Sequence, residues 1–421
     1  MADRAISSRF VKLATGAPAA LYEPERPGDE AHVAFMFMHP DSGFISHLGC
    51  SELAGRGYRA LGVNGRFTNM PGPTGGPYVY HEVIPDVAAG VAYLRALPGV
   101  DTVVLAGHSG GGPLFSAYQN LAEHGAVAFQ REGLLTKGPD SLAGLPPADA
   151  LVLMDAHVGY GAHALLMLDA SIVDEAEPAR RDPDLDMFEA RNGYTAEGAD
   201  YSASFVATFN AAQAARMARL VRHAEERVAA IDAGRGNYPD DEPMVIPGLG
   251  TRIWSPDTSL LARTVGEWKL LKGDGSQSVQ VVPSLRPPSG KPIDHRGYGG
   301  ALVTSVRRFL ATHAIRTLPD YAITADELTG IDWASSYTSA PANLEGVSVP
   351  LLSLVMSAHY FLVPNEVNFA HAASADKEMA MVEGAVHGMT PCSAVEKTPG
   401  EFGDTVRTTF DYVAGWAAAR Y

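Results

Sequence analysis

Short, wholly apolar runs alternate with stretches of helical spacing through the first part of the chain and again in its last fifth. Residues 33–38 (Val-Ala-Phe-Met-Phe-Met) form a six-residue apolar run, the length of a buried strand. Residues 48–56 suit a helix closed by Gly57, and residues 58–63 read as the next strand. Residues 85–97 carry Val87, Val91 and Leu94 on one helical face, with Pro85 in the first turn and Pro98-Gly99 as a stop. The apolar runs 102–106 and 150–154 follow, the second ending at Asp155. Strands separated by helices predict βαβ units and a parallel sheet.

The middle of the chain breaks this rhythm. Residues 174–186 are rich in Asp, Glu, Pro and Arg and read as a loop. Residues 201–233 form a long Ala- and Arg-rich helical stretch ended by Gly234. Residues 254–282 are β-like, with Lys272-Gly273-Asp274-Gly275 as a hairpin turn, and residues 303–315 return to helix. The alternation resumes with a strand at 350–356, a helix at 365–373 capped by Asn365, a last strand at 378–382 and a closing helix at 405–419. Residues 1–160 and 346–421 are therefore expected to form an α/β core, and 161–345 an insertion rather than more sheet.

Composition narrows the partners. With 46% hydrophobic and 19% charged residues, the 421-residue chain is ordinary for a globular protein. A formal charge of -16 argues against nucleic acid and anionic membranes as partners. Two cysteines, Cys50 and Cys392, make no disulfide framework. No apolar h-region opens the chain, and no run approaches the roughly 18–20 residues of a membrane span. A soluble cytoplasmic protein is the expectation, and a homodimer stays open.

The chemistry gathers at Gly107-His108-Ser109-Gly110-Gly111. It matches G-x-S-x-G, and the apolar run before it and the helix-compatible segment after it supply the strand–turn–helix setting that this motif needs. Such a turn strains the serine backbone and lifts its hydroxyl off the sheet. A Gly-rich turn could instead cradle phosphate, but the spacing fits neither G-x-x-x-x-G-K-[ST] nor G-x-G-x-x-G. Ser109 is the candidate nucleophile. A serine needs a base, a carboxylate to orient that base, and donors for the oxyanion. His387, in a Gly-bounded loop and the only histidine after the last strand, is the candidate base.

The acid has two candidates. The loop after the 350–356 strand, where the carboxylate usually sits, offers His359, Tyr360 and Phe361 instead, and Glu366 is the nearest acid. Asp155, closing the 150–154 strand, is the rival. For the oxyanion, the backbone N–H of Gly110 is one donor. The loop after residues 33–38 should give the second; Pro40 has no N–H, so the donor moves on to Asp41. His39 is expected to brace that loop, and His39, His108 and Tyr360 to reach substrate.

Ser109 in this motif, His39-Pro40 after an early strand and His387 after the last one together resemble the α/β-hydrolase fold, in particular its esterase- and lipase-like serine hydrolases. The resemblance spans 1–160 and 346–421. It implies an eight-stranded, mostly parallel sheet flanked by helices, a Ser–acid–His triad, no cofactor or metal, and a mainly helical cap at 161–345. The expected activity is cleavage of a carboxylic ester or lactone in a small, sizeable or hydrophobic substrate. The same triad could cut an amide or a carbon–carbon bond, and the fold could also survive as a binding protein.

The remaining features read blandly. His157, His163 and the Met-bearing stretch 165–168 read as core packing with a pocket lining as the alternative, and Asp182, Asp184 and Asp186 as a solvated loop without the Gly and Glu of a calcium site.

Overall fold

The computed structural model describes residues 4–68, 79–288 and 301–421. Its centre is β3, Val33–His39, every residue of which is buried. Such a strand needs cover on both faces, and the alternation supplies two different covers. Met36 and Met38 join α2 (Tyr80–Arg95) and α3 (Gly111–His124) in one core. Phe35 and Phe37 join α1 (Leu48–Gly55) and α9 (Thr405–Ala418) in another.

The other strands of this sheet are β1 (Ile6–Lys12), β2 (Pro18–Pro24), β4 (Arg59–Asn64), β5 (Thr102–His108), β6 (Ala150–Met154), β7 (Arg263–Leu271), β8 (Gln277–Pro283), β9 (Leu351–Met356) and β10 (Lys377–Val382). Their order is β1-β2-β4-β3-β5-β6-β9-β10-β7-β8. Pairing is parallel from β4 through to β10, and antiparallel at β1–β2 and β2–β4. The expected eight-stranded, mostly parallel sheet is present. Two further strands extend it: β7 pairs parallel with β10 at Lys269–Leu271, and β8 closes the hairpin. Both come from the 161–345 stretch, which was expected to contribute no strands to this sheet.

That stretch also builds a third core, with Phe209 and Met217 of α5 (Ala203–Asp232) packed among Leu165, Trp254, Phe309 and Ile323. The helix expected over 303–315 divides. Ala301–Ser305, with two β-branched residues, pairs antiparallel with Pro243–Pro247, and only Val306–Thr312 (α6) is helical. Asn365 does not cap α8, which begins earlier and spans Leu362–His371. Its amide is buried and donates to the carbonyls of Ala156 and Phe361. Pro85 likewise lies inside α2 rather than in its first turn, because the apolar face already starts at Tyr80. Among the described residues, no helix is long and apolar enough to cross a membrane.

Candidate active site

The turn between β5 and α3 carries Ser109 at φ 57°, a left-handed conformation that a serine adopts only when its surroundings impose it. Its amide donates to the Met154 carbonyl at 3.0 Å, and its carbonyl accepts from Gly112 at 3.2 Å. A Cβ at Gly107 would lie 2.5 Å from the Gly111 carbonyl oxygen, so the tight reversal requires glycine there. The Ser109 hydroxyl has no hydrogen-bond partner among the described residues and opens into a cavity of about 400 Å³. That volume suits a small ligand. The polar lining is His39, Asp41, Ser42, His157, Tyr160, His163 and Arg252, with Met167, Leu249 and Gly250 completing it. His157 and His163 thus take the lining role that was the alternative to core packing.

Asp155 follows β6, also at positive φ (44°), and is fully buried. Its Oδ1 accepts the Met356 amide at 3.2 Å, and its Oδ2 lies 2.6 Å from His387 Nδ1. His359 Nδ1 stands 2.8 Å from the same oxygen, off the line of a good hydrogen bond. Burial pushes the Asp155 carboxyl up, but the imidazoles of His359 and His387 outweigh it and hold the group well below the usual carboxylate range. His359 and His387 stack with ring centres 4.5 Å apart, and Phe361 meets His387 edge-on at 5.6 Å.

Glu366 is elsewhere. Both its oxygens are occupied, by the Val265 and Gly266 amides at 2.8 Å each and by Trp268 Nε1 at 2.6 Å. It stands on α8, a turn beyond the post-strand loop, and faces β7 rather than His387. The sequence offered it as the acid because nothing in the sequence reveals that β7 comes to lie beside α8.

His108 is likewise corrected. Both its ring nitrogens are used inside the protein, so it is a support and not a substrate contact. The Gly49 amide donates to His47 Nδ1 at 3.1 Å, which places the His47 proton on Nε2. His47 Nε2 lies 3.1 Å from His108 Nδ1, and His108 Nε2 lies 2.9 Å from the His387 carbonyl oxygen. The chain of donors runs one way, from the α1 N-terminus to the backbone of His387. Both relay rings are neutral: burial, with the charge of His39, depresses His47 to about 4, and burial with its histidine neighbours drives His108 well down.

His39 braces its loop as expected. Its Nδ1 is 2.7 Å from Asp41 Oδ1, and the amide nitrogens of Asp41 and Ser42 lie 3.4 and 3.2 Å from the same ring atom. The short carboxylate contact puts the proton on Nδ1, which leaves the Asp41 N–H without a true acceptor there. A Cβ on Gly110 would collide with the Tyr160 hydroxyl and lie 2.6 Å from His39 Nε2. Two polar groups therefore stand over Gly110, whose own N–H meets no acceptor among the described residues at the start of α3. Tyr360 does not line the cavity. It lies under Arg252, whose guanidinium carbon is 5.3 Å from its ring centre.

Asp155, His359 and His387 are the one group of His, Cys, Asp and Glu among the described residues whose ligand atoms all fall within 4.8 Å. Their 2.6 and 2.8 Å separations are ordinary imidazole–carboxylate contacts, the shorter of them a hydrogen bond. A tetrahedral ion at ~2.0–2.1 Å from each ligand would need them to spread to roughly 3.3 Å. Asp182 and Asp186 instead accept amides of their own loop, from Asp184 and Phe188. Tyr160, His47 and Arg252 were not singled out from sequence for this site, whereas the post-strand cluster His359-Tyr360-Phe361 was weighed evenly between reaching it and packing against the end of the sheet. His359 does reach it, from the place where a carboxylate was sought.

No family model matches the chain, and no curated protein does. Among solved structures it is similar to the α/β hydrolase GrgF from Penicillium sp. sh18, at 11% identity over 99% of this chain and 98% of that one, with a TM-score of 0.42. It is similar to brefeldin A esterase, a bacterial homologue of human hormone sensitive lipase, at 13% identity over 100% and 78%, with a TM-score of 0.40. A third is esterase B from Lactobacillus rhamnosis, at 10% identity over 100% and 89%, with a TM-score of 0.41.

Proposed function

We propose that this chain, whose strand order and elbow are those of the α/β-hydrolase fold, is a serine hydrolase that cleaves a carboxylic ester through an acyl-enzyme on Ser109. The observation that carries the reading is the strained Ser109, its hydroxyl open to a cavity, at the carboxyl ends of the same parallel strands as an imidazole held 2.6 Å from a buried carboxylate. In this reading Ser109 Oγ attacks the ester carbonyl and His387 Nε2 takes its proton. Asp155 holds the His387 Nδ1–H and stabilises the imidazolium. The N–H groups of Gly110 and Asp41 receive the oxyanion. Collapse of the tetrahedral intermediate breaks the C–O bond, and His387 returns the proton to the departing alcohol. A water molecule, deprotonated by His387, then attacks the acyl carbonyl and releases the acid and Ser109.

A fluorophosphonate probe tests the nucleophile. Wild-type protein is expected to be labelled at Ser109 and the Ser109→Ala variant not at all. An unlabelled wild type, or equal labelling of the variant, would refute the assignment.

A further inference from the structure

Arg252 sits in the same cavity as the Ser109 hydroxyl, and its environment is built around it. The Met167 carbonyl accepts the amides of both Gly250 and Thr251 at 3.0 Å, which pins the loop carrying Arg252 to the end of α4 (Tyr160–Leu166). Arg252 Nε points at the Met167 sulfur, 3.4 Å away. The guanidinium rests on the Tyr360 ring, itself packed 5.8 Å from the ring of Trp254. A flat cation stacked on an aromatic face is held in place without losing its charge.

What this cation lacks is an anion. Among the described residues no carboxylate comes within 4 Å of Arg252. The Asp41 carboxylate, in the same cavity, is committed to His39 at 2.7 Å. The neighbour on the Arg252 side is His163, stacked 4.7 Å from His157 and kept neutral by burial and by the nearby guanidinium. No hydrogen bond joins the His163 ring to the described residues. A neutral imidazole beside an unpaired, planar, two-pronged donor makes a receptor for a carboxylate.

We propose that Arg252, assisted by His163, binds a free carboxylate on the substrate, so that the ester cleaved at Ser109 belongs to an anionic class such as the half-esters of short dicarboxylic acids. This rests on the hydrolase reading above. It replaces the hydrophobic substrate expected from sequence, because seven of the side chains around Ser109 are polar or charged. The unpaired guanidinium would otherwise be held in a pocket with nothing to bind, and a paired carboxylate satisfies both.

The test compares mono-p-nitrophenyl glutarate with the uncharged p-nitrophenyl hexanoate. Wild type is expected to favour the anionic ester in kcat/KM by at least roughly tenfold. In Arg252→Gln the anionic-to-neutral ratio should fall roughly 10- to 100-fold, the range of a charge-assisted hydrogen bond, and Arg252→Lys should recover part of it. A wild-type ratio near one, or a ratio unchanged in Arg252→Gln, overturns the proposal. If neither ester is cleaved the hydrolase reading fails, and calorimetric titration with glutarate still decides the subsite. Binding by wild type that Arg252→Gln abolishes supports it, and no binding by wild type refutes it.

Discussion

Replacing Asp155 with asparagine keeps the shape of the side chain and changes only what it can accept. The carboxylate receives the Met356 amide on one oxygen, at 3.2 Å, and the His387 Nδ1–H on the other, at 2.6 Å. An amide has one acceptor atom for two such places. If its NH2 faces Met356, two donors collide. If it faces His387, the imidazole must present a bare Nδ1 and carry its proton on Nε2, where it cannot accept one from Ser109. Loss of the orienting carboxylate in this way costs about 10⁴ in kcat in serine protease triads, or roughly 5.5 kcal/mol of barrier. Asp155→Asn is therefore expected to lower kcat on an activated aryl ester by about three to four orders of magnitude, read from p-nitrophenolate release. Glu366→Gln is the counterpart. It should leave kcat within about threefold and lower the melting temperature, because the charge accepting from Val265, Gly266 and Trp268 is lost. Circular dichroism on both variants separates misfolding from chemistry. If Asp155→Asn keeps kcat within tenfold, or Glu366→Gln falls as far, the assignment of the acid is wrong.

Two further outcomes follow from the histidines. His47→Phe preserves the stacking on Phe37 and Phe44 but removes the donor to His108. The relay behind His387 should then slacken, with kcat falling about 2- to 10-fold, KM moving less, and His47→Gln restoring part of the loss; a kcat equal to wild type would leave the relay without a role. Burial holds His47 and His313 at about 4 and His157 at about 3, below the ~6.5 of an unfolded histidine. The folded state thus binds fewer protons than the unfolded one as pH falls, so stability should be full above about 6.5 and decline from there toward 4. Denaturant melts between pH 7 and 4.5 read this directly, and a midpoint constant across that window would contradict it.

The parts legible in the sequence were those fixed by local pattern. The strand before Ser109 and the glycines around it are consecutive residues, the late histidine is the only one after the last strand, and the sheet of β3, β5, β6, β9 and β10 follows from apolar runs of strand length. What stayed illegible depended on distant partners. Asp155 and Glu366 both follow or neighbour a core strand, and only the placement of β7 beside α8 shows that one carboxylate meets an imidazole and the other two amides and an indole. The β7–β8 hairpin was recognisable as a hairpin, but its edge-on union with β10 needed the register of Lys269–Leu271 against Ala380–Val382. Arg252 had no local mark at all, since one arginine in a loop looks like any other until its neighbours are known. His108 was misread for a related reason: the variable place of the G-x-S-x-G motif says nothing about which way its side chain turns.

The union of β7 with β10 has a mechanical consequence. The segment from 161 to 345 leaves the core after β6, returns to be stitched into the sheet at β7 and β8, and departs again before β9. A segment joined to the core only at its two ends could swing away, but this one is sewn down in the middle. Lifting it would unzip Lys269–Leu271 from Ala380–Val382 and pull Val265, Gly266 and Trp268 off the Glu366 carboxylate. Swinging the whole segment as one body, together with the Leu249, Gly250 and Arg252 that it brings to the Ser109 cavity, would thus cost sheet hydrogen bonds first.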